Sequence, residues 1–218
     1  MIEFQNVTYN HQKDVGVNNL SFTIPENDFA FLIGPTGSGK TTLMRLIYFD
    51  LLPQSGFVKT GNFSSHKLKK RKIPFARREI GMVFQNYQLL EDRNVYNNIA
   101  LPLNVLGYPT KEITERVEEC IDLVKLEGKE KLKPSQLSGG EQQRASLARA
   151  IVKDPSVLLA DEPTGNLDPV SAFELVKLLQ EIHETGTTIL MASHNYSLIK
   201  GRGYRILELQ NGHLRGNG

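Results

Sequence analysis

The segment that most limits how this chain can fold is GPTGSGKT, which follows the apolar run Phe29–Ile33 and precedes helix-forming residues. It fits the pattern G-x-x-x-x-G-K-[ST], in which backbone N–H groups cradle phosphates, the lysine reaches the β and γ oxygens and the final hydroxyl holds Mg²⁺. A buried strand that feeds such a loop and then a helix is typical of an α/β fold. The pattern predicts that ATP and Mg²⁺ bind, and the expected phosphate-binding residues are Gly34, Pro35, Thr36, Gly37, Ser38, Gly39, Lys40, Thr41 and Thr42.

The remaining strand and helix patterns also indicate an α/β fold. Two apolar strands that flank a helix in the C-terminal part form a βαβ unit, which requires a parallel sheet and places ligands at the carboxyl ends of the strands. Lys40, Asp161 and His194 would all lie there. The predicted strands are Ile2–Tyr9, Leu20–Ile24, Phe29–Ile33, Gly56–Gly61, Ile80–Phe84, Val157–Ala160 and Thr187–Ala192, with a terminal hairpin of 205–209 and 213–216 and helices at Gly39–Phe49 and Pro169–His183.

Between Asn94 and Ala150 the apolar spacing becomes helical, which indicates an inserted helical lobe. Thr110 is a candidate cap for a helix whose buried face carries Ile113, Val117, Ile121 and Val124, and a second helix is predicted over Glu141–Val152. The single cysteine, Cys120, lies beside this face, so we expect a packed thiol and no intrachain disulfide.

A second glycine element, LSGGEQQR, spans Leu137–Arg144 and opens another helix. One nucleotide needs only one phosphate cradle. We therefore expect Ser138, Gly139 and Gly140 to act on a nucleotide bound to another copy of the chain, which would bury ATP between two subunits.

The acidic pair in VLLADEP follows an apolar strand, where two adjacent carboxylates are costly unless a cation or a proton is near. We assign Asp161 to the Mg²⁺ shell and Glu162 to accepting a proton from the water that attacks the γ-phosphate. A solvated pair at a strand end is the structural alternative. Gln85 and His194 each stand at the end of a predicted strand, at equivalent edges of the site. We expect both to reach the γ-phosphate region, with Gln85 also near the metal, although a lone histidine at a strand end is more often an ordinary packing residue.

Two further residues have equally good structural explanations. Tyr9 is the candidate for stacking on adenine, or else a residue of ordinary sheet packing. Asp168 of GNLD either reaches across a subunit boundary to the nucleotide or simply caps a helix.

The overall charge does not by itself indicate a nucleic-acid or acidic partner, because the chain has 26 Lys and Arg and 24 Asp and Glu. The one strong run of charge contains Lys67, Lys69, Lys70, Arg71 and Lys72 and continues to Arg77 and Arg78. Such runs are usually solvated faces. Contact with anionic lipid headgroups is the functional alternative. Nucleic acid is not expected, since only Phe75 is interleaved with the charges. No segment approaches the roughly 20 apolar residues that span a bilayer.

Taken together, GPTGSGKT, Gln85, LSGGEQQR, VLLADEP, GNLD and His194 resemble, in kind and in order, the nucleotide-binding subunit of ATP-binding cassette (ABC) systems. The resemblance covers essentially the whole chain. It implies a P-loop NTPase of the ABC type, in which a RecA-like core and an N-terminal antiparallel β subdomain occupy 1–85 and 155–218 and a helical subdomain occupies 86–154. It also implies an ATP hydrolase that forms a head-to-tail homodimer when ATP is bound. Asn195 departs from the family, which usually has Asp after the switch histidine; this departure puts coupling strength in question.

Within the family, LMRLIYFDLLPQSG, KIPFARREIGMVFQ and above all LLEDRNVYNNIALPL resemble the cell-division branch. This likeness implies an FtsX-like membrane subunit that docks near Asn86–Tyr96, with the chain on the cytoplasmic, inner face of the cell membrane. Exporters of the lipoprotein-release or macrolide type share GEQQR and DEPTGNLD and remain the alternative. A soluble relative acting on DNA or ribosomes would need coiled-coil insertions or a second cassette, which this chain lacks.

Overall fold

The computed structural model describes residues 1–12, 15–196, 199 and 203–215 of the chain. Two β-sheets and two groups of helices make up this part of the molecule. In chain order the elements are β1 (Ile2–Gln12), β2 (Val15–Ile24), β3 (Phe29–Ile33), α1 (Lys40–Ile47), β4 (Ser55–Thr60), β5 (Phe63–Ser64), α2 (Ile73–Arg78), β6 (Ile80–Val83), α3 (Val95–Leu106), α4 (Thr110–Leu123), α5 (Gly139–Ile151), β7 (Val157–Asp161), α6 (Pro169–Glu184), β8 (Thr188–Ser193), β9 (Arg205–Gln210) and β10 (His213–Arg215), with short 3₁₀ turns at Lys70–Lys72 and Pro134–Gln136.

The central sheet has six strands in the order β10-β9-β3-β8-β7-β6. All neighbouring pairs are parallel except the β9–β10 hairpin. Every residue of β3 and β8 is buried, as expected for a parallel sheet covered on both faces. Because the parallel strands point the same way, the segments that follow β3, β6, β7 and β8 meet at one edge of the sheet.

A smaller antiparallel sheet, ordered β2-β1-β4-β5, is built mostly from the N-terminal segment. Its apolar side packs with α1 against one face of the central sheet, where Phe4, Leu20, Leu43, Leu159 and Leu190 share one core. The N-terminal antiparallel β subdomain implied by the resemblance is therefore present. It holds β1 beside the N-terminus of α1.

The opposite face of the central sheet is covered by α5 and α6, with α3 and α4 stacked outside α5. The predicted inner face of α4 is confirmed, since Ile113, Val117 and Ile121 are buried. The prediction that Thr110 caps this helix is wrong. The capping position is Pro109, whose extended backbone turns the chain into the helix, and Thr110 is already the first helical residue.

The other predicted strands and helices are confirmed to within three residues at their ends, except that β2 begins five residues earlier than predicted. The sequence patterns did not reveal α2, because it is short and most of its residues are exposed. Of the predicted terminal hairpin, Gly216 lies outside the described residues. Among the helices of the described ranges, none is both long and apolar enough to cross a bilayer.

Candidate active site

The glycine loop between β3 and α1 has a backbone that other residues could not easily adopt. Gly34 has a φ of 153°, and a Cβ at this position would lie 2.1 Å from the carbonyl oxygen of Leu209. Gly39, at the N-cap of α1, has a φ of 106°, and no side chain caps this helix. The loop therefore presents the positive end of the α1 dipole to the cavity in front of it, which favours an anion there.

Lys40 holds the loop together from inside. Its side chain is only 5% exposed, and Nζ donates hydrogen bonds to the carbonyl oxygens of Gly34 at 2.9 Å and Pro35 at 3.2 Å. Nζ also lies 3.2 Å from Oε1 of Glu162, which follows β7. The ammonium thus joins the phosphate-binding loop to the acidic strand end.

The cavity in front of the loop fits a phosphate chain. It has a volume of about 310 Å³, and its walls include the loop, the first turn of α1, Gln85, Asp161 and Glu162. Inside the loop, Oγ of Ser38 is buried and finds no hydrogen-bond partner among the described residues. A buried hydroxyl without a partner is costly, and phosphate oxygens would satisfy it.

Asp161 and Thr41 lie side by side in this cavity. Burial raises the pKa of the Asp161 carboxyl, while a hydrogen bond with the Thr41 side chain acts in the opposite direction. Within the described ranges, no group of three or more His, Cys, Asp or Glu side chains is arranged to hold a metal ion by itself. One carboxylate and one hydroxyl are, however, the usual protein share of a Mg²⁺ site that phosphates complete.

Glu162 is fixed from two sides. Its Oε1 faces Lys40, and its Oε2 lies 3.1 Å from Nδ1 of His194, just after β8. The Glu162 backbone has a φ of 47°, in the left-handed region, and its N–H donates to the carbonyl oxygen of Ala192. Such strained conformations concentrate at functional sites. The structure thus brings Lys40, Glu162 and His194 together as the sequence predicted. Next to them, the Asn195 N–H donates to Oγ of Ser193.

Gln85 follows β6 and lines the same cavity. Nδ2 of Asn166 donates to the carbonyl oxygen of Gln85 at 3.3 Å. Gly165 also lies against Gln85, since a Cβ on Gly165 would come within 3.0 Å of Nε2. The GNLD segment and the end of β6 are therefore in direct contact.

Tyr9 does not line the cavity in front of the loop, and it contacts a second ring. Its ring packs edge-on against His11, with ring centroids 5.0 Å apart, and His11 Nε2 lies 3.2 Å from Oγ1 of Thr42. His11 is thus the ring in contact with the phosphate-binding loop, and the sequence analysis did not identify it. The alternation of β1 places both rings on one face, which was the available signal.

The second glycine element starts α5 with a capping box. Oγ of Ser138 accepts from the Glu141 N–H, and Oε2 of Glu141 accepts from the Ser138 N–H. A hydrogen bond from Lys129 lowers the pKa of Glu141 to about 2, so this carboxylate stays charged. Neither Ser138 nor the two glycines after it lines the cavity around Lys40.

Asp168 caps α6. Its Oδ1 accepts from the N–H groups of Val170 and Ser171, and its Oδ2 accepts from Oγ of Ser171 at 2.6 Å. The structure therefore supplies the local explanation that the sequence left open. A nucleotide contact across a subunit boundary stays a prediction.

Two side chains of α5 form hydrogen bonds with the segment that follows β6. Oγ of Ser146 and Nη2 of Arg149 both donate to the carbonyl oxygen of Tyr87, at 2.8 and 3.0 Å, while Nη1 of Arg149 donates to that of Gln88 at 2.7 Å. Helix α5 thus carries Ser138 at one end and holds the neighbourhood of Gln85 further along. Sequence reasoning missed this connection, because arginine in a helix is common.

Asn98 fixes the next part of the same segment. It is buried, its Oδ1 accepts from the Leu90 N–H at 2.7 Å, and its Nδ2 donates to the carbonyl oxygens of Leu90, Arg93 and Asn94. The loop before α3 therefore has a defined shape, with Asp92 and Arg93 exposed at its tip.

Comparison with known proteins agrees with this geometry. The family described as ABC transporter matches residues 17–165. The cell division ATP-binding protein FtsE of Mycobacterium tuberculosis is 44% identical over 216 residues, which cover 98% of this chain and 94% of the relative. FtsE of Escherichia coli K12 is 46% identical over 200 residues, covering 92% and 90%. FtsE of Streptococcus pneumoniae is 41% identical over 215 residues, covering 98% and 94%.

Solved structures give the same result for the fold. A dimeric post-hydrolysis state of the ATP-binding cassette MJ0796 bound to ADP and Pi matches with a TM-score of 0.88 and 32% identity, over 99% of this chain and 97% of that one. The cbiO1 protein of Clostridium perfringens, part of the ABC transporter complex cbiONQ, matches with a TM-score of 0.89 and 27% identity, over 100% and 87%.

Proposed function

This chain belongs to the ABC transporter family as an ATP-binding, ATP-hydrolysing subunit, and we propose that it serves cell division with an FtsX-like membrane protein. The observation that carries the proposal is its identity of 41–46% to FtsE proteins over nearly their whole length. In this proposal ATP binding and hydrolysis change the shape of the membrane partner from its cytoplasmic side.

The site supports a direct hydrolysis step. The glycine loop and Lys40 bind the phosphates, and Lys40 neutralises charge on the β and γ oxygens. Glu162 takes a proton from the attacking water. At the same time the water oxygen bonds to the γ-phosphorus, and the bond between that phosphorus and the leaving ADP oxygen breaks. His194 contacts the Glu162 carboxylate from the other side, which keeps the base oriented.

Mg²⁺ would be held by Asp161 and Thr41, with Gln85 near it, and would supply positive charge to the phosphates. The surroundings of Asp161 support this assignment, because its side chain lines the cavity in front of the glycine loop and is hydrogen-bonded with the Thr41 side chain.

We propose that the active form is a homodimer in which Ser138, Gly139 and Gly140 of one copy complete the nucleotide site of the other. Two findings support it. These residues lie outside the cavity around Lys40, and the similar cassette MJ0796 has been solved as a dimer. Asp168 is the further candidate for a contact across the boundary, because its partner Ser171 has its Oγ 3.0 Å from the position that a Cβ on Gly140 would take.

We propose that the membrane subunit docks beside the segment 86–96. A groove of about 260 Å³ opens next to this segment, with apolar walls from Tyr48, Met82, Leu101 and Pro102 and with Arg149 at its side. An amphipathic helix of the partner would lay its apolar face into such a groove. Since Arg149 holds the carbonyls of Tyr87 and Gln88, movement of the docked helix would reach Gln85 and the γ-phosphate.

The docking proposal is tested by reversing both charges at the loop tip, Asp92→Arg with Arg93→Asp. Capture of the membrane partner should fall at least tenfold while ATPase activity of the isolated chain stays unchanged. The matched control reverses another exposed pair on the helical lobe, Asp122→Lys with Lys125→Asp, and should bind normally. Equal capture by both variants contradicts the docking site.

The function itself is tested by purifying the chain from membranes and identifying the partner by mass spectrometry. An FtsX-like protein is the expected result. Recovery of a lipoprotein-release or macrolide-type permease instead would establish the exporter alternative, which GEQQR and DEPTGNLD fit equally well.

A further inference from the structure

Positive charge is concentrated in a single segment of the chain. The 28 residues between Asp50 and Glu79 contain eight Lys and Arg and no carboxylate, whereas the whole chain has a net charge of +2. The remaining residues therefore carry a net charge of −6 against +8 in this segment. A surface that carries one sign of charge attracts partners of the opposite charge.

The structure leaves most of these cations exposed and unneutralised. Arg77 is bound by Asp50 and by the carbonyl oxygens of Tyr48 and Phe49. Among the ion pairs of the described ranges, none involves the other exposed members of the cluster. These members, which we call the basic ridge, are Lys67, Lys69, Lys70, Arg71, Lys72 and Arg78.

An exposed aromatic ring lies in the middle of the basic ridge. Phe75, on α2, is 45% exposed. The Lys72 ammonium lies 4.9 Å and the Arg78 guanidinium 4.5 Å from its ring centroid. Apolar surface surrounded by cations matches the interface of an anionic membrane, where a ring enters the headgroup layer and the charges meet phosphates.

We propose that the basic ridge with Phe75 binds the surface of an anionic phospholipid bilayer directly. Arg77, the neighbour of Arg78 in α2, connects the ridge to the docking groove: its guanidinium lies 5.0 Å from the centroid of the Tyr48 ring, and Lys153 Nζ donates to the carbonyl oxygens of Arg77 and Ile80 at 2.7 Å. Tyr48, Ile80 and Lys153 line that groove. This placement rests on the proposed function, since a membrane subunit in the groove brings the bilayer to this side.

The test measures binding of the full chain, without a partner, to sedimented vesicles. Vesicles of equal parts phosphatidylglycerol and phosphatidylcholine should bind the chain at low salt, and vesicles of phosphatidylcholine alone should not. Each lysine near an anionic surface contributes about a fivefold factor in partitioning. The triple variant Lys69→Gln, Lys70→Gln, Lys72→Gln should therefore bind about a hundredfold more weakly.

A matched control removes the same charge from the helical lobe through Lys125→Gln, Lys131→Gln and Lys133→Gln, all at exposed positions. It should bind within about fivefold of the unaltered chain, which separates the basic ridge from the net charge of the protein.

The aromatic part of the proposal has its own variant. Phe75→Ser should lower partitioning about tenfold, and Phe75→Leu should restore most of it, because the membrane recognises apolar surface at this position. Since Phe75 is exposed, the thermal midpoints of both variants should match that of the unaltered chain. A Leu variant as weak as the Ser variant contradicts insertion of this side chain.

Three results overturn the proposal: no preference for anionic vesicles, equal loss in the two lysine triples, or binding of random single-stranded RNA in place of vesicles. The vesicle assay uses neither ATP nor a partner. A negative vesicle result would therefore not affect the ATPase and docking assays. If partner capture fails, vesicle binding can still be measured.

Discussion

Replacing Glu162 with glutamine isolates the proton transfer from every other part of the site. The two side chains have nearly the same shape, so an amide oxygen can still face Lys40 Nζ, which lies 3.2 Å from Oε1 of Glu162. The amide cannot take the proton of the attacking water. Loss of a positioned base costs about 10²- to 10⁴-fold in rate, or about 3–5 kcal/mol of transition-state stabilisation.

ATP affinity should change by less than about threefold, which is under ~0.7 kcal/mol. The reason is local, because the glycine loop keeps its shape through the bonds from Lys40 Nζ to the carbonyl oxygens of Gly34 and Pro35. The nucleotide would then be bound and not hydrolysed, so the Glu162→Gln protein should accumulate as an ATP-bound dimer. Phosphate release, binding of a fluorescent ATP analogue and the mass in light scattering measure the three quantities.

Two variants make the experiment decisive. Glu181→Gln alters a partly exposed glutamate of α6 and should behave as the unaltered chain, whereas Lys40→Ala should lose nucleotide affinity. Turnover of Glu162→Gln within threefold of the unaltered rate would refute the role of Glu162 as the base. Loss of ATP binding in that variant would show that the carboxylate holds the loop together instead.

Three other predictions concern separate parts of the molecule. Ser138→Ala should abolish ATP-dependent dimerisation while one copy still binds ATP. It should destabilise α5 by only about 0.5–1 kcal/mol, because the capping bond from the Glu141 N–H is long at 3.3 Å. A light-scattering mass in the presence of ATP equal to that of the unaltered chain would exclude the shared site. His11→Ala should weaken ATP binding more than Tyr9→Leu does if the ring that touches Thr42 is the one beneath adenine, and titration of both variants decides between them. Burial raises the pKa of Cys120 to about 12. A maleimide at pH 8 should therefore modify the native protein at least a hundredfold more slowly than the unfolded one. Equal rates would contradict the packed position of this thiol.

The central sheet and its catalytic edge were predictable because their signals are short and local. A continuous apolar strand followed by a glycine loop or by paired carboxylates places polar groups at the carboxyl end of that strand, whatever the rest of the fold does. Asp161, Glu162, Gln85 and His194 follow three neighbouring strands in this way. Helix α2 has no clear sequence signal, because a short exposed helix has little apolar periodicity. The cap of α4 also has none, because the extended Pro109 precedes the helix without a side-chain cap.

Contacts between distant segments could not be read from spacing. The bond of His11 to Thr42 and the bonds of Arg149 to Tyr87 and Gln88 depend on how elements pack. Each is set by distances across the fold, which have no local sequence pattern.

The sequence by itself thus determined which chemical groups this protein can bring to a nucleotide, because a phosphate cradle, an adjacent carboxylate pair and a second glycine element each require particular residues in consecutive positions. Only the tertiary structure decided which of these groups meet: Glu162 lies between Lys40 and His194, and α5 is bound to the segment beside Gln85. The physical reason is that strand ends converge only once the sheet has formed, and hydrogen bonds between residues 59 to 62 positions apart exist only after the helices have packed on it.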